Sequence, residues 1–393
     1  MSLKKGFYKE KFHFSDLDKK NRCKNFEKSL AAEIRIQNRS CKRCGVKYRV
    51  AHAKERLLFC AGRYGDCFGY SMSTNKFRKL EAYPEMQLTG LISDGNTVYA
   101  AGTSNIFTSN VMLHSYDTRE NKWTQLPTVS RSRTLHALSI LNGKLYVIGG
   151  RNKDSVTPDV ELSHIVEVYD PAEKIWSSKR STLAARVNSC ATATSKYVYV
   201  IGGESTDELV KAVGSVERYC PSTDKWVSAP SLTTRRYQSS AVYFHEKIYV
   251  FGGRNVMELY TFEFMDANNG KKWSQVAFPF TSPICASVTM DGKILALGST
   301  LWGDDSAFQY KAVRRRGCWE RVNNFIHHSH RNSAYKYAPC EVLNYDFENK
   351  PLGNCNCHQG DSSNEDEDYM TDSSDIDDSD DVMMEFAPWG LWV

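Results

Sequence analysis

The sequence predicts an all-β protein made of six repeated sheets, and three observations carry that reading. One pattern recurs through residues 57–320: an apolar run closing on a glycine pair, then a Tyr, then a Trp. Its second glycine falls at Gly62, Gly102, Gly150, Gly203, Gly253 and Gly298, at intervals of 40 to 53 residues. Runs such as "KLYVIGG" and "KIYVFGG" are continuous and rich in β-branched and aromatic residues. A strand that alternates with solvent does not read this way, so each run predicts a strand covered on both faces.

In chain order, the first copy, "KERLLFCAG" with "CFGYSMSTNKF", is the most eroded; Ala61 replaces its first glycine and Phe77 takes the Trp place. The second, "GNTVYAAG" with "LHSYDTRENKW", has Ala101 in the glycine pair. The third, fourth and fifth keep the full pair: "KLYVIGG" with "VEVYDPAEKIW", "KYVYVIGG" with "VERYCPSTDKW", and "KIYVFGG" with "YTFEFMDANNGKKW". The sixth, "MDGKILALG" with "FQYKAVRRRGCW", has Leu297 at the first glycine. Asn142-Gly143 and Asp291-Gly292 predict hairpin turns, because both residue types tolerate positive φ. Glycine at the end of a buried strand weakens it, so the pair predicts a close approach between neighbouring sheets. Trp123, Trp176, Trp226, Trp273 and Trp319 read as packing between sheets, each burying about 150–250 Å².

These correlated features resemble the Kelch family, and within it the Kelch-like proteins. The resemblance implies that each repeat is a four-stranded blade and that residues 56–346 form a six-bladed β-propeller. A ring of blades must close. The first copy lacks a preceding apolar strand of the "ALSIL" type, while "RNSAYKYAPCEVLNYD" after the sixth has an apolar stretch with no glycine pair or Trp. A C-terminal strand at about 336–346 is therefore expected to complete blade one, which removes two open edges.

Strands that reverse direction place the loop after the glycine strand and the blade-to-blade loop on one side. The glycine loops hold Arg151 and Arg254; the blade-to-blade loops "SRSRTLH", "AARVNSC", "TRRYQSS" and "SHRNSAY" bring Arg131, Arg133, Arg186, Arg235, Arg236, Tyr237, His330 and Arg331. Guanidinium groups on loops of a rigid scaffold suit carboxylates and phosphates, so this rim is the expected partner-binding site. An Arg in the blade-to-blade loop is also recurrent in the family resembled, where it can bond neighbouring loop carbonyls instead.

The net charge of +5 hides three regions. Residues 1–56 hold seventeen Lys or Arg against six acids, and residues 351–393 hold twelve acids with no Lys or Arg. The arm, 1–55, has Leu17, Phe26, Leu30 and Ile34 at near-helical spacing behind Ser15, which predicts one helix with a basic, solvated face. No nucleic-acid motif accompanies it. The tail, 347–393, has too little apolar content for a core and reads as disordered. Its charge opposes that of the rim, so a shielding role is one expectation and a solvated tail the other.

No apolar run approaches the roughly 18 residues of a membrane span, and the N-terminus lacks the apolar core of a signal peptide. Twelve scattered cysteines suit reduced thiols in a cytoplasmic or nuclear protein. Cys41 and Cys44 have zinc-ligand spacing that Cys355, Cys357 and His358 could complete, and His327, His328 and His330 cluster, but neither group is read as a metal site. Galactose oxidase-like enzymes hold copper in a Kelch propeller through Tyr, His and Cys. Here arginine dominates the rim and no nucleophile motif appears, so neither a catalytic residue nor a cofactor is expected. Kelch-like proteins usually join the propeller to BTB and BACK domains that engage cullin 3. The resemblance thus implies the substrate-recognition part of a cullin-3 ubiquitin ligase adaptor, capturing an acidic or phosphorylated segment. No part of the 55 residues before the propeller reads as BTB, so cullin 3 is expected only if that domain is supplied elsewhere. The alternative is a stand-alone cytoskeletal or nuclear scaffold, or a competitor that occupies substrate.

Overall fold

The computed structural model describes the chain from residue 35 to residue 348, apart from 41–46, 62–66, 104–110, 130–132, 153–161, 206–210, 279–283, 300–304, 314–315, 323–339 and a few isolated positions. Side chains are described from Arg56 onward, apart from some strand positions such as 76–77, 305–306, 311–313 and 316–317, and not in the closing strand. The expected helix around 15–34 and the acidic tail lie outside these residues, and Arg35–Ser40 within the arm is a strand.

Among the described residues the strands form six antiparallel sheets of four or five strands in sequence order, with a two-stranded ribbon of Arg133–Thr134 and Arg151–Asn152 beside the third. Blade 3 shows the plan: Ala137–Leu141, Lys144–Ile148, Val166–Asp170 and Ile175–Lys179 pair in succession. Blades 2, 4, 5 and 6 begin at Gln87–Ser93, Cys190–Ala193, Ser240–Phe244 and Ile284–Met290 and repeat it. In blade 1 the first place is taken by Cys340–Glu348, which pairs antiparallel with Lys47–Ala61 from His52↔Glu348 to Cys60↔Cys340. The ring is closed by that strand, which contacts the first strands of both blade 6 and blade 2. It begins and ends a few residues later than the apolar stretch at about 336–346 suggested.

The double cover expected of the glycine strands is present. Among the described residues six apolar clusters occur, one at each junction between neighbouring blades. Along one strand Leu57 and Phe59 enter the cluster shared with blade 2, while Leu58 and Cys60 enter the one shared with blade 6. Each strand is thus apolar throughout because its alternate side chains serve different neighbours. Asn142 and Gly143, at φ 54° and 71°, and Asp291 and Gly292, at 49° and 67°, make the expected positive-φ turns. His245 and Glu246 hold the same conformation without a glycine.

The glycine pairs mark contacts between blades. Gly150 N–H donates to the Arg186 carbonyl at 3.0 Å and Gly203 N–H to the Arg236 carbonyl at 2.9 Å, each in the next blade. A Cβ on Gly202 would collide with that same Arg236 carbonyl oxygen, and its φ of 62° further excludes side chains. The tryptophans tie blades at the outer edge. Trp123, Trp176, Trp226 and Trp273 donate from Nε1 to the carbonyls of Glu81, Pro127, Arg180 and Pro230, each in the loop arriving from the preceding blade.

Candidate functional site

The register of the inner strands puts the glycine loops and the blade-to-blade loops on one face, as the hydrogen bonds between them require. The residues expected on that face divide into three groups.

Arg133, Arg186 and Arg236 do not reach solvent. Each turns into its own blade and meets a carboxylate on the third strand: Arg133 with Glu167, Arg186 with Glu217, and Arg236 with Glu263 at 2.8 Å. Arg236 also donates to the carbonyls of Gly252 at 2.8 Å and Thr261 at 3.2 Å. Glu263 accepts from the backbone N–H groups of Thr233 and Thr234, and Glu217 from those of Leu183 and Ala184. Burial lowers the pKa of Arg186 and Arg236, and the facing carboxylates oppose that shift. A guanidinium and a carboxylate taken out of water need this full set of partners. These three arginines therefore fasten the loop to the blade and, being buried, do not line a partner-binding rim. Blade 2 has His114 at the Glu position, two residues before the tyrosine that faces the Trp, and there Tyr83 Oη lies 3.3 Å from His114 Nδ1.

Arg131, His330 and Arg331 lie outside the described residues. The remainder sits on blades 3 to 5. Arg151 is half-buried and pairs through its backbone with Thr134. Arg235 is exposed, with its Cγ packed over Gly214. Tyr237 and Arg254, both half-buried, form a backbone bridge of 2.8 and 2.9 Å. Sequence reasoning missed Lys211, whose ammonium lies 5.9 Å from the Tyr237 ring centre and 3.2 Å from Glu204 while its side chain stays 68% exposed. It also missed Val256 and Met257 in the adjoining glycine loop, large apolar side chains that are exposed. Arg235, Lys211, Tyr237 and Arg254 together make a positive sector with an aromatic floor. Its exposed ends, Arg235 and Lys211, can receive carboxylates, Lys211 already sharing its charge with Glu204.

His136 ends the blade-to-blade loop of blade 3, with Nδ1 3.1 Å from the Arg133 carbonyl oxygen. Burial, and secondarily the Arg133 guanidinium, push its pKa down to about 4. The unfolded chain, near pKa ~6.5, then takes up the proton first. Stability from the neutral imidazole is whole above pH ~6.5 and drains away as pH falls toward the folded value. His136→Gln is expected to flatten the dependence of thermal midpoint on pH across that window, a difference of up to ~3 kcal/mol. An unchanged slope would contradict the burial argument.

Among the described residues no three His, Cys, Asp or Glu side chains gather as a metal-ligand set, and the cysteine pairs at 41/44 and 355/357 lie outside them.

Residues 89–299 match the model of the KLHDC2/KLHL20/DRC7 Kelch-repeats domain. An F-box/kelch-repeat protein of Arabidopsis thaliana is 32% identical over 146 residues, 36% of each chain. Kelch-like protein 6 of Homo sapiens is 34% identical over 94 residues, 24% of this chain and 14% of that protein. The matched stretches thus span about a third or less of these relatives. The solved structure titled "Structure of YjhT" superposes with a TM-score of 0.56 at 15% identity, covering 68% of this chain and 94% of that one, and so shares the fold.

Proposed function

From a chain that belongs to the KLHDC2/KLHL20/DRC7 Kelch-repeat domain family, we propose a non-catalytic, protein-binding propeller that captures an acidic or phosphorylated segment on the loop face of blades 4 and 5. The observation that carries this is the sector of Arg235, Lys211, Tyr237 and Arg254, whose cations stand on loops fixed by hydrogen bonds to the blades. Kelch domains bind protein partners, and Kelch-like relatives support a role as the substrate-recognition part of a cullin-3 adaptor. The F-box in the name of another relative shows the propeller beside a different module, which keeps a scaffold outside cullin 3 as the second reading.

Charge reversal at Arg186 or Arg236 cannot test this binding, since it would break a buried pair. The informative variant is Lys211→Gln with Arg235→Glu, since Lys211→Glu would set a second carboxylate against Glu204. Binding of a fluorescein-labelled poly-aspartate peptide at low ionic strength is expected to weaken at least about tenfold, equivalent to ~1.4 kcal/mol, with the thermal midpoint unchanged. Undiminished binding by that folded variant would overturn the site.

A further inference from the structure

Single exposed apolar residues are ordinary on a protein surface. Val256 and Met257 differ, being adjacent, 90% and 76% exposed, and presented at a tip the chain takes care to order. Arg254 and Glu258 bridge across the loop, Leu259 N–H donates to the Gly253 carbonyl at 2.9 Å, and Asn255 N–H to the Met257 carbonyl at 3.0 Å. The loop is in turn anchored to Tyr237 through the backbone of Arg254. Two apolar side chains are thereby held in water on a hydrogen-bonded hairpin whose base pairs with Tyr237, the ring that Lys211 faces and that follows Arg235 by two residues. No packing within the blade explains that placement, whereas a partner covering it would gain apolar burial with little further ordering of this loop.

We infer that the segment captured by blades 4 and 5 is of mixed chemistry: acids that meet Arg235 and Lys211, with an apolar side chain among them that seats on Val256 and Met257. This rests on the reading of the loop face as an acidic-segment site and specifies what that segment must contain. Charge complementarity sets its orientation, because acids placed over Val256 and Met257 would lose water without gaining a counter-charge. Met257 suits the apolar contact, since its unbranched thioether adapts to side chains of different shape.

The test uses the full chain and two short fluorescein-labelled peptides of equal negative charge, one with Leu-Trp between its aspartates and the other with Ser-Ser. Fluorescence anisotropy is expected to show the Leu-Trp peptide binding about tenfold or more tighter, the scale set by burying one large apolar side chain. In the Val256→Ser, Met257→Ser variant that advantage should vanish while the Ser-Ser peptide binds as before. Equal binding of both peptides by the unaltered protein overturns the inference and leaves the acidic-segment reading standing. An advantage that survives the double serine variant overturns it as well, by placing the apolar contact elsewhere. Failure of both peptides to bind would overturn the acidic-segment reading together with the inference.

Discussion

Arg236→Ala should lower the folding free energy of the propeller by about 3–5 kcal/mol, the cost of stranding a buried carboxylate. Arg236 is 0% exposed, and its removal leaves Glu263 facing only the N–H groups of Thr233 and Thr234. The carbonyls of Gly252 and Thr261 lose a donor at the same time. Denaturant titration followed by tryptophan fluorescence reads the effect as a shifted midpoint. The pair itself is not expected to be worth that much. Arg236→Met combined with Glu263→Gln, which keeps an acceptor for a threonine N–H and removes the charge, should recover a large part of the loss. A measured cost for Arg236→Ala below about 1 kcal/mol, the range of exposed pairs, would mean that the guanidinium is solvated after all.

Gly202→Ala is expected to cost about 2–4 kcal/mol. The left-handed conformation accounts for about 1–2 of these. The rest comes from displacing the Arg236 carbonyl, which the new methyl would strike and which accepts the Gly203 N–H at 2.9 Å. Gly143→Ala is the control, because its φ is 71° but nothing lies within 4 Å of the added Cβ. It should cost only the conformational part. Equal losses at the two positions would show that the approach of blade 5 to the glycine pair of blade 4 is looser than the structure has it.

The ring was legible because its constraints repeat. A glycine that must admit a neighbouring carbonyl and a tryptophan that must reach the preceding loop recur wherever a blade meets the next, and spacing exposes them. The rim was read less well. "TRRYQSS" places Arg235 and Arg236 side by side, yet one points to solvent and the other into the blade. Charge on a loop says nothing about that choice. The signal lay on the third strand, where "VEVY", "VERY" and "TFEF" carry Glu167, Glu217 and Glu263, and all three are buried. A buried carboxylate demands an internal cation, and the arginine of the same repeat supplies it. Blade 2, with His114 at that position, has no such pair among the described residues. Lys211, Val256 and Met257 had no comparable signal, because they sit in loops that the repeat does not constrain.

Closing blade 1 with Cys340–Glu348 also fixes an order of events during synthesis. Lys47–Ala61 leaves the ribosome early, but the strand that pairs its His52–Cys60 stretch is made some 280 residues later. At the speed of translation, about 5–20 residues per second, that edge and the apolar side chains awaiting blade 6 stand uncovered for on the order of tens of seconds. Until then the chain carries an unpaired strand edge, and the last strand is the latch that covers it.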